Sequence, residues 1–356
     1  MSLRSDLLAW YDRMRRDLPW RRTRDPYAIW VSETMLQQTQ VAAVLPYFER
    51  FLARFPTLAD LAAAEEDAVL AAWSGLGYYR RVRHLQEGAR RVMEGHGGTV
   101  PQDPAALRAL PGVGPYTAGA IASIAFGREE AVLDGNVRRV LARWTADPGE
   151  GGDARFWQLA RSLVAGPRPG DWNQALMELG ATVCTPQAPA CGRCPVPAHC
   201  RAHRSGSAAD FPRARPRKPS RTVQVEVALI EREGAVLLER QGAGGPLRGK
   251  WDLPAVETGG MHALVGEAVR TALRERHGID VLPGTLGRPA SHTILNRRLR
   301  LAVVRCAWPQ REPAPGSGLR WMAAGELDAT PVSGATRKVL RANLVRATSS
   351  AGGRAL

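Results

Sequence analysis

The sequence predicts two domains of different class: an all-α domain over residues 1–200 and an α+β domain over residues 222–350. Between residues 2 and 200, apolar residues recur at three- and four-residue spacing, which is typical of packed helices. From Thr222 the pattern alternates, as in VQVEVALIE, AVLLER and LRLAVVRCAW, which is typical of strands. Residues 201–221 carry seven Arg or Lys, three prolines and one acid, Asp210, so we expect an extended basic linker.

Composition bounds the class of protein. A chain of 356 residues is long enough to form two domains, each with its own hydrophobic core. A content of 44% hydrophobic and 23% charged residues is typical of a soluble globular protein. The longest apolar run, near Thr117 to Phe126, is too short to span a bilayer, so we expect a cytoplasmic protein. The net charge of +15 indicates a polyanionic partner, although an arginine-rich composition can also reflect the genome.

The stretch from Leu107 to Val140 contains a predicted hairpin, Leu110-Pro-Gly-Val-Gly114, between two helices. Two glycines permit the positive φ of a tight reversal, and Pro115 suits the first position of a helix. The N-terminus of that second helix would offer backbone N–H groups and a positive dipole end to a phosphate. The alternative is an ordinary turn between packed helices.

Four of the five cysteines close the helical region. Cys184, Cys191, Cys194 and Cys200 form a C-x6-C-x2-C-x5-C array, which in a cytosolic chain indicates a metal site more often than disulfides. Zinc and a [4Fe-4S] cluster both accept four thiolates, and the spacing leaves both open. The fifth, Cys306, lies in a strand pattern and is predicted to be a small core residue.

Two acids stand among apolar residues. Glu33 lies in the helix-like run WVSETMLQQTQV, and Asp134 follows the strand-like AVL and begins the turn Asp-Gly-Asn. A buried carboxyl group needs partners or has a raised pKa, so either acid is a candidate functional group. The alternative for each is an acid at a helix N-terminus, with Asp134 as the N-cap of a helix from Val137 to Trp144.

Taken together, these features resemble the helix-hairpin-helix DNA glycosylase superfamily and, within it, the adenine DNA glycosylase (MutY) family. The resemblance covers essentially residues 5–200. Its motifs are LPW at Leu18–Trp20, WVSETMLQQTQV at Trp30–Val41, PYFERF at Pro46–Phe51, GLGYYRRVRHL at Gly75–Leu85, LPGVGPYTAGAI at Leu110–Ile121 and LDGNVRRVLAR at Leu133–Arg143.

The resemblance implies a base excision repair enzyme that hydrolyses the N-glycosidic bond of adenine mispaired with 8-oxoguanine or guanine. It assigns Glu33 as the acid that protonates adenine and Asp134 as the carboxylate that stabilises an oxocarbenium sugar. Tyr116 and Asn136 would fix these two carboxyl groups by hydrogen bonds. The resemblance also favours a [4Fe-4S] cluster on the four cysteines, a monomer, double-stranded DNA as partner and a place at the nucleoid.

Because the adenine must leave the duplex, the resemblance also implies base flipping. It makes Gln38 and Tyr78 the wedges that fill and flank the gap, with Thr39, Gly112 and Gly114 as further DNA contacts. The adenine pocket would be formed by four residues: Arg16, Trp20, Leu36 and Gln174. Alternatives are a core aromatic for Tyr78 and purely structural roles for Trp20 and Gln174.

The distribution of lysine predicts the reaction type. Bifunctional relatives use a lysine just after the hairpin to form a Schiff base and cleave the strand. Here that place holds Tyr116, and the first 217 residues contain no lysine. We therefore expect a monofunctional glycosylase without lyase activity.

The second domain resembles a Nudix-like domain, most clearly at GKWDLP, Gly249–Pro254. The Nudix signature contains several glutamates that bind a metal ion. When Gly278-Ile279 is aligned with the last two positions of that signature, Glu275 is the only one of these glutamates that is present. Pyrophosphate hydrolysis is therefore not expected. The implied role is recognition of the lesion opposite adenine. The usual Phe-Ser-His reading loop is replaced by Ile294-Leu295-Asn296, where Asn296 offers hydrogen bonds and Arg297 and Arg298 offer phosphate contacts.

The sequence leaves two rival functions open. A thymine or uracil mismatch glycosylase would also suit a tyrosine at position 116, but Glu33 and the second domain argue against it. A non-catalytic DNA-binding or iron-sulfur scaffold protein would have no reason to keep both Glu33 and Asp134.

Overall fold

A computed structural model of the protein describes residues 2–213, 219–242, 249–259, 265–294, 296–309, 312–313, 316–327 and 330–344. The chain forms two compact units. The first contains Met1–Val69 and Arg80–Pro216, and the second contains Leu70–Tyr79 and Arg217–Leu356. Over these described ranges, no helix has the length and apolar character to cross a membrane.

The predicted helical region is mostly helical, as expected. Its eleven described α-helices are α1 (Leu3–Met14), α2 (Pro26–Leu36), α3 (Val41–Arg54), α4 (Leu58–Ala63), α5 (Glu66–Ala72), α6 (Arg80–Gly95), α7 (Pro104–Ala109), α8 (Pro115–Phe126), α9 (Gly135–Thr145), α10 (Ala154–Val164) and α11 (Pro169–Thr182). A further helix, α12 (Arg201–Arg204), lies in the predicted linker.

Helix α2 lies at the centre of the first unit. Asp25 caps its N-terminus by accepting from the Tyr27 and Ala28 N–H groups, Pro26 occupies the first turn, and every residue from Tyr27 to Met35 is buried. A helix apolar on all sides is buried on all sides, and α2 packs against α3, α6 and α8. The expected continuation of this helix to Val41 is wrong, because it ends at Leu36 and Gln38 adopts a positive φ of 56°.

The hairpin joins α7 to α8 as predicted. Only Gly112 has a positive φ, 73°, and a Cβ there would lie 2.7 Å from the Cβ of His84. Gly114 has a φ of −87° and serves as the N-cap of α8. Gly112 therefore supplies the reversal, whereas Gly114 begins the helix.

The predicted helix after Asp134 is present as α9, and Asp134 is its N-cap. The residues before it, Ala131–Leu133, were expected as a strand but form no regular element. The first part of the predicted linker is not extended either. Ala202 in α12 and Ala208 in a following short turn are buried in the first unit, whereas residues 214–218 lie outside the described residues.

The second unit has the predicted α+β composition. Its described elements after the linker are β1 (Arg221–Leu229), β2 (Glu231–Arg232), β3 (Ala235–Arg240), β4 (Trp251–Asp252), β5 (Ala255–Thr258), α13 (Glu267–His277), β6 (Leu282–Leu286), β7 (Ala290–Ile294), β8 (Arg297–Ala307), β9 (Leu319–Ala323) and α14 (Gly334–Asn343).

These strands form two sheets. One has the order β5-β1-β8-β6 with β7 also paired to β8, and the other has the order β2-β3-β4 with β9 paired to β3. The alternation seen in the sequence of β1 and β8 places valines and leucines in two apolar clusters, and Cys306 is buried in one of them, as predicted. Strands β1 and β8 pair in parallel, so the chain must cross over between them.

Candidate active site

A cavity of about 820 Å³ lies within the first unit and gathers most of the predicted site residues. It is bounded by α2, the hairpin, the start of α9 and one face of α11. The predicted residues that line it are Arg16, Trp20, Glu33, Leu36, Gln38, Thr39, Gly112, Gly114, Tyr116, Asp134, Asn136 and Gln174. Residues widely separated in the sequence therefore meet at one surface.

Glu33 is one of the buried acids that line this cavity. Its position on the fully buried helix α2 leaves the residue only 5% exposed. Burial raises the pKa of Glu33 to about 7, a hydrogen bond from Tyr116 opposes this rise, and the charge of Asp134 adds to it. At neutral pH the side chain is therefore divided between its acid and carboxylate forms, which suits a group that both gives and takes a proton.

Tyr116 lies on the first turn of α8, directly after the hairpin. Its hydroxyl donates to Glu33 Oε2 at 2.7 Å and lies 3.2 Å from the Met177 sulfur. Burial, followed by the nearby carboxylates Glu33 and Asp134, raises the pKa of the phenol. The tyrosine is therefore neutral and holds Glu33 in one orientation, as predicted for this pair.

Asp134 is held by donors rather than left in an apolar site. Its Oδ1 accepts from the Val137 N–H at 2.7 Å, and its Oδ2 accepts from Asn136 Nδ2 at 3.0 Å. Burial raises the pKa of Asp134, and these hydrogen bonds to Val137 and Asn136 oppose the rise. Asp134 is thus both an N-cap and a cavity acid, and the helix N-terminus favours its ionised form.

Asn136 is in turn fixed by its neighbours. Arg139 Nη2 donates to Asn136 Oδ1 at 2.8 Å and to the Gly180 carbonyl at 2.7 Å, while Arg139 Nε donates to the Cys184 carbonyl at 2.8 Å. A Cβ on Gly180 would lie 2.6 Å from the Asn136 Cβ, so α11 approaches the start of α9 only because residue 180 is glycine.

Two charged residues of the cavity were missed by the sequence analysis: Glu178 and Arg21. Glu178 lies on α11 with a fully buried carboxylate that accepts from Arg16 at 2.8 and 2.7 Å and from Arg21 at 2.8 Å. Burial alone would raise the pKa of Glu178, but the two guanidinium groups outweigh it and hold the pKa at about 2. Glu178 is therefore a permanent anion, unlike Glu33.

No local signal marks Glu178 in the sequence. Its run ALMELG reads as an ordinary amphipathic helix, and its partners lie more than 150 residues away. Arg21 directly follows the LPW motif, so adjacency to that motif was a signal that could have found it.

Trp20 and Gln174, two of the residues predicted to form the adenine pocket, are both buried beside the cavity. Trp20 is largely buried against Phe48, with an edge-to-face contact of 5.3 Å between ring centroids. Gln174 is buried on α11 and lines the cavity. Both line the cavity, and a structural role for Trp20 is evident from its packing.

The predicted wedge residues do not all lie in one unit. Gln38 is exposed at the cavity rim in the turn after α2, and Thr39 Oγ1 accepts from Arg81 at 3.2 Å. Tyr78 belongs to the segment Leu70–Tyr79 of the second unit and does not line the cavity.

The four cysteines surround a second, smaller cavity at the end of α11. Cys184, Cys191, Cys194 and Cys200 all line it, together with apolar residues and Arg143. Burial raises the pKa of the Cys194 thiol to about 11. Arg143, which is 1% exposed, places Nη1 3.2 Å from Cys184 Sγ and donates to the Thr185 and Pro186 carbonyls.

In the described ranges, no three His, Cys, Asp or Glu side chains converge closely enough to hold a single metal ion. The thiols share a cavity without forming so tight a group.

In the second unit, the end of the predicted Nudix signature lies on helix α13. Glu275 is exposed on α13, and the next residue, Arg276, donates from Nη1 to both oxygens of the buried Glu239 at 2.7 and 2.9 Å. His277 Nε2 lies 2.9 Å from the same carboxylate. Arg276 therefore places a fixed cation beside Glu239.

Of the replaced reading loop, Ile294 lines a cavity of about 210 Å³ and Leu295 lies outside the described residues. The Asn296 carbonyl accepts from the Arg221 N–H at 2.8 Å. Arg297 is paired with Glu257, whereas Arg298 forms no ion pair within the part of the chain that the structure describes.

Two family models match this chain. Residues 31–161 match the HhH-GPD superfamily of base excision DNA repair proteins, and residues 226–342 match the NUDIX domain. The chain is 41% identical to the adenine DNA glycosylase of Homo sapiens over 96% of this chain and 73% of that protein. It is 35% identical to that of Schizosaccharomyces pombe over 72% of this chain and 69% of that protein.

Among solved structures, a thermostable thymine-DNA glycosylase is similar, with 33% identity and a TM-score of 0.53 over 56% of this chain and 94% of that one.

Proposed function

Because the chain belongs to the adenine DNA glycosylase family, we propose that it removes adenine mispaired with 8-oxoguanine or guanine in DNA. The observation that carries the proposal is the pair of acids in the cavity of the first unit. Glu33 has a pKa of about 7 and one hydroxyl donor, whereas Asp134 is held by an N–H, an amide and a helix N-terminus. Two carboxyl groups in such different surroundings suit the two roles that N-glycosidic cleavage requires.

The proposed chemistry begins with proton transfer from Glu33 to the flipped adenine. The C1′–N9 bond then breaks, and its electron pair leaves with the protonated base. The Asp134 carboxylate stabilises the positive charge that develops on the sugar. Glu33, now a carboxylate, takes a proton from the water that attacks C1′, which regenerates the acid and leaves an abasic site.

Two residues position these groups in the proposal. Tyr116 holds Glu33 through the 2.7 Å hydrogen bond, and Asn136 holds Asp134 through the 3.0 Å hydrogen bond. We assign base recognition to the cavity wall that contains Glu178, Arg21 and Gln174, because a purine edge presents both donors and acceptors. A fixed anion beside guanidinium groups offers both kinds of partner.

The proposal is a hydrolase without lyase activity. A lyase requires an amine that forms a Schiff base with the sugar, and the first 217 residues contain no lysine. At the helix start after the hairpin, the hydroxyl of Tyr116 is committed to Glu33. Efficient β-elimination with borohydride trapping would contradict this part of the proposal.

The four cysteines fit a [4Fe-4S] cluster. They supply four thiol donors to one enclosed cavity, and the buried guanidinium of Arg143 reaches Cys184, which suits the negative charge of a thiolate-ligated cluster. A zinc ion also accepts four thiolates and is the alternative occupant of these cysteines. When bound, the cluster would cross-link the loop from Cys184 to Cys200. The catalytic steps above are performed by the side chains of the cavity.

We assign the second unit to recognition rather than hydrolysis. Nudix-type pyrophosphate hydrolysis requires acids that bind Mg²⁺, whereas here Arg276 occupies one of those positions and is paired with Glu239. The remaining role is detection of the base opposite adenine, as the family resemblance implies.

The proposal is tested by single-turnover cleavage of duplexes that carry A, T or U opposite 8-oxoguanine or guanine. We expect release of adenine, most efficiently opposite 8-oxoguanine, and none of thymine or uracil. The thymine arm tests the rival function, which the similarity to a thymine-DNA glycosylase favours. An absorbance spectrum of the same preparation tests the cluster, since iron-sulfur protein is coloured and zinc protein is not.

A further inference from the structure

Two adjacent tyrosines in the segment Leu70–Tyr79 have opposite surroundings. Tyr78 is 48% exposed and has a positive φ of 46°, which is uncommon for a residue with a bulky side chain. Tyr79 is 3% exposed. Gly75 and Gly77, which precede the tyrosines, also have positive φ, 110° and 70°. A backbone with these φ angles persists only where the surrounding structure fixes it, so the contacts of this turn must hold it in place.

Tyr79 is held by residues that follow the basic linker. The ammonium group of Lys250 lies 3.2 Å from the centroid of the Tyr79 ring, and Lys250 itself is 3% exposed. A cation over an aromatic face is attracted most strongly where water is excluded, as it is here. The Tyr79 hydroxyl also lies 3.4 Å from the Val332 carbonyl and 3.3 Å from Ser74 Oγ.

A second cation holds the other end of the turn. Arg337 Nη2 donates to Ser74 Oγ at 2.7 Å and lies 3.3 Å from the Leu327 and Thr330 carbonyls. Within the turn, Trp73 Nε1 donates to the Gly77 carbonyl at 3.1 Å. Both ends of Gly75–Tyr79 are therefore attached to the body of the second unit, and the exposed ring of Tyr78 projects from a fixed backbone.

We propose that Lys250 and Arg337 are positioning residues that pre-organise the Gly75–Tyr79 turn so that the Tyr78 ring can enter DNA. This inference rests on the proposed function, in which Tyr78 flanks the gap left by the flipped adenine. Insertion of a ring between stacked bases is costly, and a turn that had to order on binding would add its own entropic cost. The second unit would thus act on the DNA distortion step, separately from reading the opposite base.

The test uses Glu33→Gln protein, so that binding is measured without cleavage. We compare Lys250→Met, Tyr78→Ala and their combination, with Lys338→Met as the matched control. Lys338 is an exposed lysine on α14 that donates to the Ser291 carbonyl and does not touch the turn. The readouts are the Kd for a duplex with adenine opposite 8-oxoguanine and the fluorescence of 2-aminopurine placed beside the mispair, which rises when stacking is lost.

We expect Lys250→Met and Tyr78→Ala each to raise the Kd about tenfold and to reduce the 2-aminopurine signal, with the combination no more than twofold worse than Tyr78→Ala alone. Lys338→Met should leave both readouts unchanged. Independent, multiplicative effects of the two substitutions, or a Lys250→Met protein that behaves like the control, would overturn the inference.

Thermal unfolding of each variant verifies folding. If Lys250→Met fails to fold, Arg337→Met provides the same comparison from the other end of the turn. A Tyr79→Phe variant, which keeps the ring under Lys250, should retain most of the signal, whereas Tyr79→Leu should lose it. If the unmodified protein excises no adenine, the proposed function fails, but these binding and fluorescence readouts still decide whether the turn depends on Lys250.

Discussion

At the scale of single residues, the two cavity acids differ because their surroundings differ. Glu33 sits on a helix buried on all sides and has one hydroxyl partner, so its neutral form is favoured up to a pH of about 7. Asp134 sits at a helix N-terminus with two donors, so its charged form has compensation that Glu33 lacks. The proposed assignment of acid and carboxylate follows from this contrast.

Asp134→Asn separates the chemical role from the capping role. Asparagine is as good an N-cap as aspartate, so the free energy of unfolding should change by less than about 1 kcal/mol. The carboxylate charge is lost, so the single-turnover rate constant for adenine release should fall about a hundredfold or more. Denaturant titration and single-turnover kinetics measure the two quantities. Equal retention of stability and rate would leave Asp134 with a capping role alone.

Glu33→Gln should make stability less dependent on pH. The pKa of Glu33 is about 7 in the folded state against an ordinary value of 4.5, so the folded state holds the proton more tightly. The stability contributed by the protonated group is complete below pH 4.5 and is lost as the pH rises to 7. Relative to the parent, the variant should therefore gain stability above pH 7, by about 1–3 kcal/mol. Urea unfolding at pH 4.5 and pH 8 measures the gain, and an equal difference at both pH values would contradict the pKa.

At the scale of elements, helix α11 sets the position of the α9 N-terminus. A Cβ on Gly180 would meet the Asn136 Cβ at 2.6 Å, so Gly180→Ala must move Asn136. We expect a loss of about 1–3 kcal/mol in the free energy of unfolding and a reduced cleavage rate, because Asn136 then no longer holds Asp134. Gly95→Ala is a suitable control, since Gly95 lies in helix α6 and a Cβ there meets nothing within 4 Å. If the Gly180→Ala protein cleaves at the parental rate, the close approach of residue 180 to Asn136 does not determine the position of Asp134.

The sequence predicts elements well where the signal is local. A capping residue predicts the helix start at Asp134, and glycine predicts the hairpin. The alternation of apolar and polar residues predicts strands β1, β3 and β8. The end of α2 at Leu36 has no such local signal, because residues 37–40 contain neither glycine nor proline. The reversal there depends on a positive φ at Gln38. Glu178 was missed because its meaning depends on Arg16 and Arg21, which are remote in the sequence.

At the scale of the whole molecule, the two units divide the work in the proposed account. The first unit contains the paired acids, and the second contains a Nudix fold in which Arg276 is paired with Glu239. We expect no hydrolysis of nucleoside triphosphates above background in the presence of Mg²⁺, measured as phosphate or pyrophosphate release. Magnesium-dependent turnover that survives Glu33→Gln would show that the second unit is an enzyme.

The measurement that tests the central claim most directly is the pH dependence of single-turnover adenine release from a duplex with adenine opposite 8-oxoguanine. If Glu33 is the acid, the rate constant should decrease as the pH rises through about 7, where burial places the pKa of Glu33. Tyr116→Phe removes the hydrogen bond that lowers this pKa, so the decrease should move to higher pH. A rate constant that rises through pH 7, or a profile unchanged in Glu33→Gln, would contradict the assignment of Glu33 as the proton donor.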